Sequence, residues 1–293
     1  MISAKKYAAY LFLLPALLIF AIFIYWPLLE NFYLSFFRWN MISPTMQFVG
    51  FENYRKIFAG AEFTKVLFNT LLYIACLLIL NFVLPYIYSF ILSHIVTRFS
   101  GFYRAALFTP SNLSLAVAGI IFLWLYNPLA GPLSIILACF NLETPRFFKE
   151  NFLVILAISS IIGWKVFGYN LIVMMSAMVS VPKEIIEAAK LENLSNWQLF
   201  RHIILPLISS TAIYVFVITV VFGLQYVLVP VNMLTQGGPD QGSTNLVYII
   251  YQYAFTFFQT GPSAAFSVLT MIFYIAFLIF KSKVLEKKIH YEN

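Results

Sequence analysis

Charge is scarce in this sequence. Asp, Glu, Lys and Arg make up 10% of its 293 residues, and 62% are apolar. A soluble domain has roughly 25% and 45–50%. No soluble chain of this length could hide so much apolar surface in one core, which excludes an ordinary globular protein. Acids are scarcer than bases, and the net charge is +7. In a soluble chain that excess would point to nucleic acid or an acidic partner. In an apolar chain it marks cytoplasmic loops, so no nucleic-acid partner is expected. Cysteine is nearly absent: Cys76 and Cys139 cannot build a disulfide framework. Cys76 lies in an apolar run and reads as a small hydrophobe. No HExxH, GxSxG or cysteine–histidine cluster occurs, so neither a catalytic nor a metal site is expected.

Long apolar runs are what the chain has in abundance. Six can cross a hydrocarbon core that needs about 20 residues per helix: Ala8–Leu29, Leu67–Leu92, Ala105–Tyr126, Phe152–Met178, Leu205–Val229 and Ala264–Phe280. The first exceeds a signal-peptide core of ~7–15 residues and no small-residue cleavage site follows, so it reads as a retained span. Pro15 and Pro27 within it read as tolerated kinks. The expected fold is all-α and polytopic, one transmembrane domain over residues 1–293. Aromatic anchors flank the runs at Tyr7, Tyr10, Tyr25, Trp26, Trp124 and Tyr126.

Loop charge sets the expected sidedness. With the N-terminus inside, the cytoplasmic loops hold Lys5, Lys6, Arg98, Arg104, Lys183, Lys190, Arg201, Lys281, Lys283, Lys287 and Lys288. The opposite loops hold Arg38, Arg55, Lys56, Lys65, Arg146 and Lys149. Both termini are therefore expected inside. All Asp and Glu residues fall outside the six runs, Glu30 at an edge, and His94, His202 and His290 fall on the cytoplasmic side. Proton symport needs an ionisable relay within the membrane, which disfavours it here. Sodium coupling through backbone carbonyls stays open.

The segment Val181–Pro206 is chemically specific. Pro182 and Glu184 suit a helix start. Asn193 tolerates the left-handed conformation that ends helices, and Ser195 with Gln198 has capping-box spacing. Two short helices meeting at a sharp turn are expected. A bare interfacial hairpin would look similar; a DNA-binding helix-turn-helix would need a basic recognition face that is missing.

These residues resemble a known family. Glu187-Ala188-Ala189, then Glu192-Asn193-Leu194, Phe200, Ile203, Leu205 and Pro206, are similar to the "EAA" loop of binding-protein-dependent ABC permeases. Glu192, Asn193 and Leu194 replace the family's Asp, Gly and Ala. Phe48-Val49-Gly50-Phe51-Glu52-Asn53-Tyr54, Phe68-Asn69-Thr70 and Leu234-Thr235-Gln236-Gly237-Gly238-Pro239, followed by Ser243-Thr244 and Tyr251, resemble the carbohydrate-uptake branch and its maltose-permease F-like subunit. The resemblance implies a type I importer (MetI-like) permease architecture in a bacterial or archaeal cytoplasmic membrane, with residues 67–280 holding the five core helices. It also implies that Glu187, Ala188, Ala189, Glu192, Asn193, Leu194, Phe200 and Pro206 dock a separate ATPase. The implied partners are a second homologous permease, two ATPase subunits that bind ATP and magnesium, an extracytoplasmic solute-binding protein, membrane lipid and a sugar-like substrate. Glycerol phosphate or another polyol is an alternative cargo. The chain itself is expected to hold no cofactor: Gly237–Gly242 with Ser243-Thr244 has phosphate-loop spacing without its lysine.

Candidate cargo contacts follow from helix faces. Lys165 is the one charge within a run, and burying it costs at least about 2.5–3.5 kcal/mol, so it faces protein or water. It shares a face with Ile162, Val166 and Tyr169. Either it lines a cavity, as the resemblance implies, or it pairs with neighbouring carbonyls or snorkels to the interface. Because basic residues at this position are familiar in the family, the lysine does not signal an anionic cargo. Thr219, Gly223 and Tyr226 form a second face, with Gln225 adjacent. Threonine and glycine at this spacing also serve close helix packing, as do Gly163 and Gly168. An ion-coupled carrier and a membrane-embedded enzyme are the readings from other classes.

Overall fold

The computed structural model describes residues 2–96 and 98–284, and the side chains from Tyr10 to Lys283. Lys287, Lys288 and His290 lie outside the described residues, as do the side chains of Lys5, Lys6 and Tyr7. Hydrocarbon offers no hydrogen-bond partners, so a crossing segment must satisfy its own backbone, and helices do this. Among the described residues, five helices are long and apolar enough to cross: Tyr10–Leu34, Ala61–Ile95, Asn151–Val179, Ser209–Leu234 and Thr260–Lys283. These are the first, second, fourth, fifth and sixth spans. Between the second and fourth lies a bent pair, Ser100–Asn112 and Leu115–Leu125, meeting at 104°. The all-α polytopic fold stands, with one short addition: strand β1 (Phe37–Arg38) pairs antiparallel with β2 (Gln47–Phe48).

Two expected spans differ from the structure. The third is not a continuous helix over Ala105–Tyr126: it breaks in a tight turn at Thr109–Asn112. Pro110 has no amide hydrogen to continue a helix. Ser114 then starts a new one, its hydroxyl accepting from the Val117 amide at 3.2 Å. The fifth starts at Ser209 rather than Leu205, because Ile208 leaves helical geometry (φ −97°, ψ 14°). The first and second helices also extend beyond their apolar runs, taking in Glu30 and, at Ala61–Lys65, Glu62.

Prolines account for three of the five turns of π-helix among the described residues; those at Ile91–Ile95 and Gln252–Thr256 have no proline two residues on. Turns of π-helix at Ala21–Tyr25, Ile79–Val83 and Leu199–Ile204 are each followed, two residues on, by Pro27, Pro85 and Pro206. A proline ring collides with the carbonyl four residues back and leaves it without a donor. A wider preceding turn relieves the clash without ending the helix.

The chain forms two compact units, one from Ile249–Phe273 with the chain up to Phe63, the other from Thr64–Tyr248 with the chain from Tyr274 onward. In the first, buried Asn53 donates to the carbonyls of Ser35 (2.8 Å) and Phe37 (3.0 Å). Tyr54 donates to the Ser35 hydroxyl at 2.7 Å. The Thr260 amide reaches the Trp39 carbonyl at 2.9 Å. The Phe48–Tyr54 motif thus builds the hairpin's foundation.

In the second unit the fourth span is the central post. Ile158, Ile161, Ile162, Leu171, Met174 and Met178 along it are fully buried. Gly168 lets the broken third span approach: a Cβ there would lie 2.5 Å from Phe108 Cα, with the Leu107 carbonyl oxygen closer still. At Gly163 the nearest atoms a Cβ would meet belong to the Leu80 side chain, the closest at 2.9 Å. Both glycines therefore serve packing. Gly168→Ala is expected to cost about 1–3 kcal/mol because backbone cannot yield, and Gly163→Ala less, as Leu80 can rotate. Thermal unfolding of the detergent-purified variants checks this order.

Candidate functional site

The second unit contains a cavity of about 300 Å³ whose wall includes Lys165, Tyr169, Thr219, Gly223 and Tyr226. The two helix faces read from the sequence therefore meet. Gln225 does not join them; it is exposed one position round the helix. Gly223 serves packing as well, since a Cβ there would lie 2.9 Å from Leu77 Cδ1.

Cavity lining and carbonyl pairing coexist at Lys165. It lines the cavity, and its Nζ donates to the Ser111 carbonyl at 3.0 Å while the Ser111 hydroxyl donates to the Lys165 carbonyl at 2.8 Å. This reciprocal pair closes the break in the third span, where the turn frees backbone acceptors. Among the described residues, no Asp or Glu lines the cavity.

Asn81 and Asn170 also line it, and the sequence search for ionisable groups missed them. They sit on the second and fourth spans, each with its side chain almost wholly buried. The π turn at Ile79–Val83 contains Asn81. Its carbonyl accepts from Asn170 Nδ2 at 2.5 Å and from the Thr219 hydroxyl at 3.4 Å, so three spans meet on one backbone oxygen. The Oδ1 atoms of Asn81 and Asn170 have no partner among the described residues. An orphaned buried acceptor costs about 1–3 kcal/mol. The available signal was an amide deep in an apolar run, which is as anomalous there as a charge. Tyr214 and Phe222 complete an aromatic side of the wall.

A loop that the sequence placed between spans is equally built in. Ser243, Thr244 and Asn245 are fully buried. Asn69 Nδ2 donates to the carbonyls of Gln241 (2.9 Å) and Thr244 (3.1 Å). Tyr73 donates to the Ser243 carbonyl at 3.0 Å, and the Thr70 hydroxyl accepts from the Leu246 amide at 3.0 Å. Asn245 Nδ2 reaches the Leu224 carbonyl at 3.0 Å. Two separate sequence motifs, Phe68-Asn69-Thr70 and the Gly-Gly-Pro loop, are thus two sides of one network.

The elbow at 181–207 has the expected form. Its first helix, Lys183–Leu191, ends with Asn193 left-handed at φ 55°. The Asn193 amide bonds Lys190 O (3.0 Å) and the Leu194 amide bonds Ala189 O (3.2 Å), a glycine-type helix stop made by asparagine. Ser195 and Gln198 form the capping box. The second helix is mostly π-wound, over Leu199–Ile204, a departure that Pro206 explains.

Burial sorts the expected docking residues. Glu187, Ala188, Glu192, Asn193 and Pro206 are exposed; Ala189 and Phe200 are buried, and Leu194 is half-buried against the same core. Phe200 packs on Tyr86 and Phe90 of the second span at ring distances of 5.3 and 4.9 Å. Met174, Met178 and Val215 join this cluster from the fourth and fifth spans. Leu191 and Trp197, 84% and 62% exposed, were not singled out from the sequence. Exposed large apolar side chains beside Glu187 are the signal that would have found them.

Residues 98–290, which include this elbow and most of the cavity wall, match the model of the binding-protein-dependent transport system inner membrane component. The chain belongs to that family. This ABC importer permease is 27% identical to the sn-glycerol-3-phosphate transport system permease protein UgpA of Agrobacterium fabrum, covering 98% of this chain and 97% of that protein. It is 30% identical to the probable ABC transporter permease protein YurN of Bacillus subtilis, over 97% of each. Its fold is similar to a chain of a bacterial ABC transporter involved in import of the acidic polysaccharide alginate (TM-score 0.80, 20% identity, covering 97% and 96%). A second solved structure, of a bacterial alginate ABC transporter in complex with an alginate pentasaccharide-bound periplasmic protein, matches with TM-score 0.78 at 20% identity, covering 94% and 93%.

For this permease the buried amide network makes a stability prediction. Asn69→Ala takes a donor from the buried Thr244 carbonyl, a loss that costs about 1–3 kcal/mol, and from the Gln241 carbonyl, which keeps the Thr244 amide at 3.1 Å. The variant should still insert as a multi-span protein and unfold at lower temperature, as measured by thermal denaturation in detergent. Phe68→Ala, at an exposed neighbour, should stay close to the parent.

Proposed function

We propose that this permease forms half of the translocation path for a sugar or oligosaccharide and takes its driving force through the elbow at 181–207. One observation carries the reading. The spans that wall the cavity also hold the elbow's socket: Asn81 and Tyr86 share the second span, Lys165 and Met174 the fourth, Thr219 and Val215 the fifth. A displacement of the elbow must move the cavity wall. Packed cores shift between discrete arrangements rather than deforming continuously, which suits a stroke.

In this reading the exposed Glu187, Ala188, Glu192, Asn193 and Pro206, with Leu191 and Trp197, meet a separate ATPase. Ala189, Leu194 and Phe200 pass the stroke inward. The ATPase pair binds ATP and magnesium, a second homologous permease supplies the other half of the path, and a solute-binding protein delivers cargo from outside. The chain catalyses nothing itself. Both termini face the cytoplasm, as the distribution of Lys and Arg supports.

The cavity's chemistry supports a polyhydroxylated cargo. Tyr169, Tyr214 and Tyr226 offer aromatic faces, and Lys165, Ser111, Asn81 and Asn170 offer donors and acceptors. The two amide oxygens without partners are suited to hydroxyl donors. The cargoes named for relatives, glycerol phosphate and alginate, are hydroxyl-rich.

Two measurements test the reading. Asn193→Val forbids the left-handed stop, and Glu187→Trp fills the docking face. Each should lower substrate-stimulated ATP hydrolysis at least about tenfold, roughly 1.4 kcal/mol of coupling, in an assembled complex that still purifies intact. Normal uptake by both variants would refute the lever. Lys165→Met should weaken cargo affinity in reconstituted importer by about three- to tenfold, the range for one hydrogen bond of ~0.5–1.5 kcal/mol; unchanged affinity would confine the lysine to its Ser111 bond.

A further inference from the structure

The first unit contains a cleft that the transport path does not use. It holds about 540 Å³ between the β1–β2 hairpin, the helix Glu52–Ala59 and residues 258–262. Two cations, Arg38 and Lys56, line it, and among its described lining residues there is no carboxylate. Glu52 stands behind them, one oxygen accepting from Arg38 Nη2 and Lys56 Nζ, both at 2.7 Å. One negative charge shared by two positive ones leaves a net positive rim. The hydrogen bond from Lys56, with the charge of Arg38, holds the Glu52 carboxyl below its ordinary range, so the arrangement persists at neutral pH. The cation side chains are 54% and 64% exposed, and a guanidinium has five donors. Both can accept another anion.

The rim is stiff and its tip is apolar. Asn40 Oδ1 accepts from the amides of Ile42 (3.1 Å) and Ser43 (2.8 Å), and Trp39 Nε1 donates to the Ser43 carbonyl at 2.8 Å. These bonds hold Met41 left-handed at φ 61°. The turn thereby presents Met41 and Ile42, 66% and 77% exposed. A free sugar or small anion would gain nothing from two large apolar side chains on a rigid turn. A protein surface would: apolar anchors beside Arg and Trp are the composition of binding hot spots. A pre-ordered loop also loses little entropy on docking.

We propose that this cleft is the socket for an acidic loop of the solute-binding protein, a carboxylate entering between Arg38 and Lys56 while Met41 and Ile42 pack beside it. The inference rests on the importer reading above, which puts the connection between the first two spans on the outer face.

The test uses the complete importer in lipid nanodiscs, titrated with the solute-binding protein from the same gene cluster, with ATP hydrolysis as readout. Arg38→Glu with Lys56→Glu should raise the half-stimulating concentration at least about tenfold while keeping basal and maximal rates, because paired charges set encounter and register. Thr45→Glu, at an exposed lining residue that leaves the Glu52 cluster intact, should raise it several-fold. Added salt should raise it for the parent and much less for the double variant. Unchanged half-stimulation in both variants would overturn the socket and leave the importer reading standing. Met41→Asp with Ile42→Asp should weaken stimulation too; if it is unchanged, the tip belongs to lipid and the socket is overturned. Failure of the parent to respond to any binding protein would remove the importer reading itself.

Discussion

Helices that are interrupted within an apolar medium must have their freed backbone groups met by something else. Water is not there to do it, and each orphan costs several kcal/mol in hydrocarbon. This permease interrupts its helices repeatedly, and the polar side chains that wall its cavity answer two of those interruptions. Lys165 and Ser111 close the break at Thr109–Asn112. Asn170 and Thr219 meet the carbonyl exposed by the π turn at Asn81. Asn69, Tyr73 and Asn245 hold the buried loop and its neighbours. The polar residues that could handle a solute are therefore the same ones that hold the fold together.

That economy explains the cavity. A packed bundle of apolar helices has no reason to keep an opening, but a kinked helix leaves space and a widened turn leaves a carbonyl. The cavity wall follows these defects: Asn81 at one, Ser111 at another, with Lys165 and Asn170 opposite them. It also explains why the elbow is mechanically relevant. The π turn ahead of Pro85 lies just before Tyr86, and the one ahead of Pro206 contains Phe200, so both flank the Tyr86–Phe200 contact. Widened helical turns therefore adjoin both the cavity and the socket, and such turns recur at functional sites and kinks.

Much of the elbow was legible because its determinants are local. Capping boxes, helix stops and proline positions act within a few residues, so Asn193, Ser195 and Gln198 can be read one after another. The span count was legible for a similar reason, since length and apolarity decide it. The break in the third span was harder. Thr109-Pro110-Ser111-Asn112 announces a turn, but a kink and a right-angle break have the same local chemistry, and the difference is made by Ser111 and Lys165 meeting across 54 positions of chain. The missed Asn81 and Asn170 were visible as amides in apolar runs; what could not be seen was that they converge.

The sequence by itself determined that this chain lives in lipid, crosses it about six times and carries a rigid two-helix elbow, because each of these depends on composition or on contacts between near neighbours. Tertiary structure alone decided that Asn69 and the Gly-Gly-Pro loop form one network, that Phe200 faces inward while Trp197 faces outward, and that two helix faces enclose one cavity. Those outcomes rest on which helix lies against which. In an apolar solvent that choice is made by close packing and a few buried hydrogen bonds, and neither is marked by any periodicity along a single helix.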